Sequence, residues 1–317
     1  MEYPNITISA TPHVRSNETT QGIMRDVIIA LLPATVMGIY RFGVKAAMLI
    51  VISIAAAVIA EALYQKATKQ KITIGDLSAV VTGLLLAMNI PSSAPWWVPI
   101  VGSAFAIIVA KQLFGGVGQN FINPALAGRA FLLASYPSLM TGWVSPGADA
   151  VSTATPLALL KAGNVAELPS LADAALGNIG GCIGETCAVA LIVGGIYLIA
   201  KGIISWRIPV TYIVTVAIFS TIFGREGSSA IYELMIGGVM LGAFFMATDY
   251  ASSPVTPNGQ LIMGVGCGIL TALIRFYGGY PEGVSYSILI MNLAVPLIDR
   301  YTKPKVFGAL PKEAKKA

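Results

Sequence analysis

Apolar residues fill most of this chain in long runs, separated by short polar intervals. A helix needs about 20 mostly apolar residues to cross a membrane, and several runs approach that length. The runs do not alternate between apolar and polar positions, as the strands of a membrane barrel would. The pattern therefore predicts an all-α polytopic membrane protein with about ten spans, at residues 25–40, 44–62, 76–90, 96–114, 124–136, 180–200, 208–223, 231–247, 261–276 and 284–298.

Composition agrees with a membrane protein. The 317 residues are 56% hydrophobic and 11% charged, whereas a soluble domain is about 25% charged. The net charge of +5 lies in loops and tails beside apolar segments, so lipid is the expected partner and nucleic acid is not. The polar start of the chain contains no apolar run of the kind found in a signal peptide. Three cysteines are too few for the usual four ligands of an iron–sulfur cluster, and they are interpreted as buried apolar side chains.

Lysines and arginines indicate the orientation, because cytoplasmic loops carry an excess of both. Their distribution predicts cytoplasmic tails at residues 1–24 and 299–317, with both termini inside. The membrane part divides into 25–136 and 180–298, each with five spans. The interval 137–179, which is poor in basic residues, is then an extracytoplasmic loop between two halves.

A faint internal repeat relates the two halves. Residues 83–95 resemble residues 242–254, and these segments end the third and eighth spans, which the predicted topology places in opposite orientations. Two inverted five-helix repeats would put a ligand site at their interface. A chance match of small and apolar residues is the alternative.

A polar group stands at the end of the eighth span. Asp249 follows Thr248 and precedes two serines, which together offer oxygen ligands for Na⁺ or a proton relay. Charged groups inside membrane spans are costly and usually functional. An aspartate that caps nearby backbone N–H groups is the bland alternative. Three other acids lie in or near spans, and the sequence does not distinguish a pore-lining carboxylate from an end residue among them: Glu61, Glu185 and Glu233.

A glycine-rich segment precedes the fifth span. Its glycines permit close approach of the backbone to a ligand or to another helix, and Asn120 and Asn123 follow them. Arg129 lies a few residues into the span, where its planar cation suits a phosphate or a carboxylate. A structural pair with one of the membrane carboxylates is the alternative for Arg129.

The stretch 149–156 (DAVSTATP) is rich in hydroxyl groups within the predicted extracytoplasmic loop. Serine, threonine and proline are ordinary turn residues. A hydroxyl nucleophile would need a nearby base, and the single histidine, His13, is predicted on the other side of the membrane. Thr155 can still be a point of attachment for a cofactor phosphate, because a separate transferase would make that bond.

Three motifs together resemble a known family. Asp149, Ser152, Thr153 and Thr155 match the D-x-x-S-[GT]-A-T acceptor of membrane flavoproteins, with threonine at 153 where glycine is frequent. The segments NPALAGRAF and FMATD resemble two other blocks of the same family. The chain is therefore similar to the D subunit of the Rnf electron-transport complex, whose sister is the B subunit of the Na⁺-translocating NADH:quinone reductase. The short N-terminal tail favours the Rnf protein.

The resemblance implies a role for each candidate residue. FMN is joined to Thr155 through a phosphoester by a flavin transferase, to which Asp149, Ser152 and Thr153 present the acceptor. A second group either packs against a flavin or holds a carboxylate of the ion path: Asn120, Asn123 and Arg129. The coupling ion is expected at Asp249 and Thr248.

The resemblance also implies a complex in the bacterial inner membrane. The A, B, C, E and G subunits of Rnf would be partners, with the G subunit carrying another FMN, and a riboflavin is expected in this chain. Electrons would pass between ferredoxin and NAD⁺, coupled to movement of Na⁺ or H⁺, with no complete active site in this chain alone. The implied fold has ten spans in two inverted repeats, like urea transporters. A urea-type channel or solute transporter is the rival, and covalent flavin would distinguish the two.

Overall fold

The computed structural model describes residues 18–145, 154–224 and 229–304. Its first helix, α1 (Thr20–Ala67), contains both of the first two predicted spans. At Gly43 the backbone leaves the helical region with a φ of +72°, which favours glycine because it has no Cβ. The break falls between the two predicted spans, so α1 is two helices joined at a kink.

The other helices of the first half end near the predicted boundaries. Asn123 begins one of them, because its side chain accepts the Leu126 N–H at 3.2 Å, and the following proline suits the first helical position. These helices are α2 (Ser78–Met88), α3 (Trp97–Ile108), α4 (Pro124–Ser135) and the short α5 (Pro137–Met140).

The second half contains shorter and more interrupted helices. The sixth predicted span is helical only from Ala188, and the eighth is divided into two helices and a π-helical turn, Gly242–Met246. The helices after α5 are α6 (Pro156–Ala162), α7 (Leu171–Leu176), α8 (Ala188–Ala200), α9 (Arg207–Ile222), α10 (Ala230–Met235), α11 (Val239–Leu241), α12 (Pro257–Tyr277) and α13 (Val284–Thr302).

The described residues are mostly helical and contain no β-strand. Three helical segments are long and apolar enough to cross a membrane, at Thr20–Ala67, Trp97–Phe114 and Pro257–Tyr277. The first of these exposes large apolar side chains such as Val36 and Val44 along its length. Apolar surface of this kind suits lipid, and the chain is a membrane protein.

Two groups of helices pack together. In the first half α1 contacts α2 and α3, and α3 contacts α4; in the second half α12 packs against α9 and α13. Contacts of α1 with α8 and of α4 with α13 join the groups. The interrupted helices lie at this junction, where buried polar groups from both halves meet.

Backbone hydrogen bonds join the halves where α2 ends. Ile183 N–H donates to the Ile90 carbonyl at 3.1 Å, and Gly184 N–H donates to the Met88 carbonyl at 2.9 Å. Pro91 and Cys182 form an isolated β-bridge beside them. Non-helical backbone at membrane depth needs such internal partners, because hydrocarbon supplies none.

The segment before α8 has structure of its own. Its helices α6 and α7 contribute to a small apolar core that includes Leu157, Leu160 and Ala174, which pack against Tyr232 and Ile236. The predicted loop is therefore, from residue 154 onward, a packed cover on the second half.

Candidate functional site

Thr155 lies at the start of α6 and is half-buried. Its hydroxyl oxygen accepts the Ala158 N–H at 3.2 Å. Thr155 borders a cavity of about 30 Å³, called here the Thr155 pocket, whose wall also includes Trp143, Glu185 and Glu282. The acceptor predicted from the motif therefore faces two acidic side chains.

Arg129 is the centre of a buried network beside this pocket. Its Nη1 donates to Glu185 Oε1 at 2.5 Å and to Asn89 Oδ1 at 2.6 Å. Its Nη2 lies 3.4 Å from Glu282 Oε2. The structural alternative for Arg129, a pair with a membrane carboxylate, is what the structure shows. A buried guanidinium can hold two carboxylates because its donors form a fixed fork.

A second arginine completes the cluster. Arg275 Nη2 lies 3.8 Å from Glu282 Oε1, and the same guanidinium donates to the Glu233 carbonyl at 2.9 Å and to the Ile236 carbonyl at 3.3 Å. Arg275 is 1% exposed. We call Arg129, Glu185, Arg275 and Glu282 the charge cluster, which joins two arginines to two glutamates.

Glu282 lies between α12 and α13 and has several donors. The Gly238 N–H donates to Glu282 Oε1, in addition to the two arginine contacts. Burial alone would raise the pKa of Glu282, but Arg129, Arg275 and the Gly238 N–H outweigh burial and lower that pKa below its usual value. Glu282 is therefore held as a carboxylate.

The glycines between α10 and α11 pack closely against Glu185 and Glu282. Gly237 has a φ of +71°, which favours glycine. A Cβ added to Gly238 would lie 2.8 Å from Glu185 Oε1 and 3.0 Å from Glu282 Oε1. The two carboxylates thus converge on one point of the backbone, and a side chain at Gly238 would have to displace them.

A second and larger cavity surrounds the other predicted site. This Asp249 cavity has a volume of about 260 Å³ and is bordered by Thr248, Asp249 and Lys111, with apolar walls that include Phe244 and Phe245. Asp249 Oδ2 accepts from the Ser252 hydroxyl at 2.8 Å and from Asn120 Nδ2 at 3.4 Å. These donors are neutral.

The residues predicted to contact a flavin lie at two separate sites in the structure. Arg129 lies in the charge cluster beside the Thr155 pocket, whereas Asn120 and Asn123 border the Asp249 cavity. Asn123 Nδ2 donates to the Met246 carbonyl at 3.2 Å. The remaining acceptor-motif residues lie outside the described residues: Asp149, Ser152 and Thr153.

A buried ion pair adjoins the Asp249 cavity. Lys111 Nζ lies 2.9 Å from Glu61 Oε2 and 2.6 Å from the Ser78 hydroxyl. Gln112 Nε2 donates to Glu61 Oε1 at 2.7 Å. Glu61 is fully buried and Lys111 is 3% exposed. The sequence did not show whether Glu61 is functional. In the structure, Glu61 forms an ion pair with Lys111.

Three residues in or beside the charge cluster were not predicted from the sequence: Arg275, Glu282 and Asn89. Arg275 reads in the sequence only as a loop cation, and neither Glu282 nor Asn89 stands out there. One feature of the sequence could have indicated Glu282. It is the acid of a glycine- and proline-rich segment, GGYPEG, directly before a span. Asn89 follows the last residue of α2, and this polar residue at the end of an apolar run is the corresponding signal.

Interrupted helices that meet around buried charges define a class of protein, the polytopic helical membrane proteins with a polar centre. The chain belongs to the family described as "NQR2, RnfD, RnfE family", whose pattern it matches over residues 7–308. The family expected from the three motifs is thereby confirmed.

Several named relatives match over nearly the full chain. The chain is 57% identical to the D subunit of the Na(+)-translocating ferredoxin:NAD(+) oxidoreductase complex of Acetobacterium woodii, over 98% of each chain. It is 47% identical to the D subunit of the proton-translocating ferredoxin:NAD(+) oxidoreductase complex of Clostridium ljungdahlii, over 95% of this chain and 96% of the relative. It is 38% identical to the D subunit of the ion-translocating oxidoreductase complex of Cronobacter sakazakii, over 95% and 98%.

Proposed function

We propose that this chain is the flavin-bearing D subunit of an ion-translocating ferredoxin:NAD⁺ oxidoreductase complex in the bacterial cytoplasmic membrane. The names of the relatives support the oxidoreductase and the complex. The A, B, C, E and G subunits are then its partners, and a flavin transferase acts on it during maturation. Because these relatives are all named as the D component of such a complex, this role is favoured over that of the quinone-reductase component.

The observation that carries the proposal is the position of Thr155. The acceptor hydroxyl is half-buried at the edge of a pocket and not inside the apolar core, so a transferase can reach it. The pocket of about 30 Å³ has room for about two water molecules. A flavin ring is too large for this volume and would lie outside the pocket. Bound in this way, FMN supplies a tethered one-electron carrier at the surface, accessible to a partner protein of the complex.

A Thr155→Val variant tests the attachment. The variant removes the only atom that can form the phosphoester at this position, and valine matches threonine in shape. We expect the fluorescent flavin band of the chain on a denaturing gel to disappear and the intact mass to fall by one FMN. Thr141→Val is the matched control and should keep the flavin, since Thr141 is an exposed threonine outside the acceptor motif. A fluorescent Thr155→Val chain would refute attachment at Thr155, whereas a wild-type chain without a flavin band would favour the channel alternative.

We further propose ten spans in two inverted repeats, like urea transporters, with both termini in the cytoplasm. The short helix α2 and the pair α10–α11 stand third in order among the spans of their halves. Each half also has a buried polar cluster at the end of its second span: Glu61 with Lys111 and Ser78, and Ser220 with Glu233. Reporter fusions should place residue 155 outside and residue 304 inside, and the reverse result would exclude this topology.

We propose the Asp249 cavity as the site of ion coupling. Asp249 and Thr248 offer oxygen ligands in a cavity wide enough for a hydrated cation. The relatives are named for Na⁺ in one case and protons in another, so the ion is left open. Asp249→Asn should abolish ion uptake by inverted vesicles, measured separately as ²²Na⁺ and as a protonophore-sensitive pH gradient, while the flavin band on Thr155 is retained. Unchanged uptake would remove Asp249 from the ion path. Riboflavin in this chain stays a prediction.

A further inference from the structure

The two cavities lie at opposite ends of the helices α1 and α8. On α1, Thr20 borders the Asp249 cavity, whereas Arg41 near the kink donates to the Leu176 carbonyl of the cover at 3.4 Å. Leu198, near the end of α8, borders the Asp249 cavity, and Thr186, just before α8, borders the Thr155 pocket. The helix between them has 13 residues, which is about 20 Å at 1.5 Å for each residue.

A thin layer of side chains connects the walls of the two cavities at the centre of the molecule. Leu85 borders the Asp249 cavity, and Asn89, one helical turn later, accepts from Arg129 Nη1 at 2.6 Å. Asn89 Nδ2 lies 3.8 Å from Met246 Sδ. Arg129 in turn donates to Glu185, which borders the Thr155 pocket. We call Asn89, Arg129 and Met246 the septum.

The septum is closely packed and carries a permanent charge. Asn89 and Met246 are each 1% exposed, and Arg129 is 7% exposed. A guanidinium stays protonated in proteins, and a fixed arginine in a narrow passage repels cations and protons. We propose that Asn89 and Arg129 close the septum to cations, so that Na⁺ and protons do not leak between the two cavities. This inference rests on the proposed topology, which puts the cavities at opposite faces of the membrane.

Asn89 is a positioning residue for the arginine. Its Nδ2 donates to the Leu85 carbonyl at 2.6 Å, which turns its Oδ1 towards Arg129. The acids that bind Arg129, Glu185 and Glu282, border the Thr155 pocket. The partner of Arg129 on the side of Leu85 and the Asp249 cavity is therefore a neutral amide. A cation that comes from this cavity meets the arginine before it meets either acid.

Passive ion uptake by proteoliposomes that contain the purified complex tests the proposal, with neither ferredoxin nor NAD⁺ added. Arg129→Gln removes the fixed cation, so we expect passive ²²Na⁺ uptake to rise by about tenfold or more. Asn89→Asp has nearly the same shape as the wild type and cancels the arginine charge by pairing with it, so its uptake should also rise. Arg129→Lys keeps the charge and should stay close to the wild type.

Two controls show whether a leak is specific. Asn258→Asp makes the same chemical change at an exposed position of α12 and should leave Na⁺ uptake unchanged. Uptake of radioactive chloride should not rise in any variant, because loss of a cation barrier does not favour anions. A variant that leaks Na⁺ and chloride equally would have a disrupted fold, and this result in both Arg129→Gln and Asn89→Asp would overturn the inference.

The remaining outcomes separate this inference from the proposals on which it rests. Tight vesicles with both Arg129→Gln and Asn89→Asp, or a wild-type complex as leaky as these variants, would overturn the inference alone. If Arg129→Gln does not assemble, Asn89→Asp decides, since its carboxylate gives the arginine a further partner. Reporter fusions that place residues 155 and 304 on the same face would overturn both the topology and the inference. Thr155→Val should stay tight, because the assay involves no redox step.

Discussion

The Thr155 pocket and the Asp249 cavity are both bordered by acids, but the acids have different partners. The acids at the Thr155 pocket are bound by guanidinium groups of the charge cluster, in a space of about 30 Å³. Asp249 receives hydrogen bonds from neutral groups in a space of about 260 Å³. Resident cations fix a carboxylate, whereas neutral donors and free volume let it exchange partners. One site therefore holds its acids in fixed ion pairs, and the other leaves free volume beside its acid.

Removal of the central arginine should have the largest effect. Arg129→Met leaves the buried Glu185 without its cation, so we expect the free energy of unfolding to fall by about 3–5 kcal/mol. Thermal denaturation of the purified complex in detergent measures this. Arg300→Met, at an exposed position of α13, should change it little. Equal loss in both variants would mean that the charge cluster does not stabilise the fold.

The stabilising effect of the Glu61–Lys111 ion pair beside the Asp249 cavity can be measured in the same way. Glu61→Leu leaves Lys111 buried without its carboxylate, and a loss of about 3–5 kcal/mol is again expected. Adding Lys111→Met should restore most of it, because an apolar pair of similar size replaces the ion pair. Failure of the double variant to recover would assign Lys111 a role beyond its contact with Glu61.

A smaller effect is expected from added volume at the Thr155 pocket. The new Cβ of Gly238→Ala would meet both carboxylates and should cost roughly 1–3 kcal/mol. Gly279→Ala is the matched control, since its Cβ would meet no atom within 4 Å. Both variants are compared by denaturation in detergent. Equal stability of the two would show that the acids have room to move apart.

The smallest effect concerns Asp173, in the cover over the second half. The Ser170 hydroxyl donates to Asp173 Oδ2 at 2.6 Å and lowers the pKa of Asp173, with a further contribution from Asn178. Since the folded pKa lies below the unfolded one, the contribution to stability is present above the unfolded pKa and is lost as pH falls through the folded pKa. Ser170→Ala should raise the Asp173 pKa, seen by carbon-13 NMR of labelled aspartate, and Asn178→Ala should raise it less.

Local patterns predicted most of the helices. The fifth span, at 124–136, agrees with α4 (Pro124–Ser135), because an asparagine cap and a proline mark its start. The charged residues around Gly43 likewise indicated the break inside α1. The sixth span was less well predicted, because residues before Ala188 pair with the end of α2 instead of continuing the helix.

The charge cluster could not be predicted in the same way. Arg129 meets residues that are 56 and 153 positions away in sequence, and no local period encodes such a pairing. The motif predicted Thr155 as the attachment point, and burial rules indicated that Arg129 needs a partner. The choice among Glu61, Glu185 and Glu233 required the packing of α4 against the segments around it.

The backbone pairing at the end of α2 has a consequence for biosynthesis. The carbonyls of Met88 and Ile90 are completed by N–H groups of residues 183 and 184. Unpaired carbonyls in hydrocarbon cost several kcal/mol each, and the ribosome adds about 5–20 residues each second. The first half must therefore wait several seconds in the membrane, unfinished, for nearly a hundred more residues to be translated. Until then the two carbonyls lack the N–H groups that complete them in the folded chain.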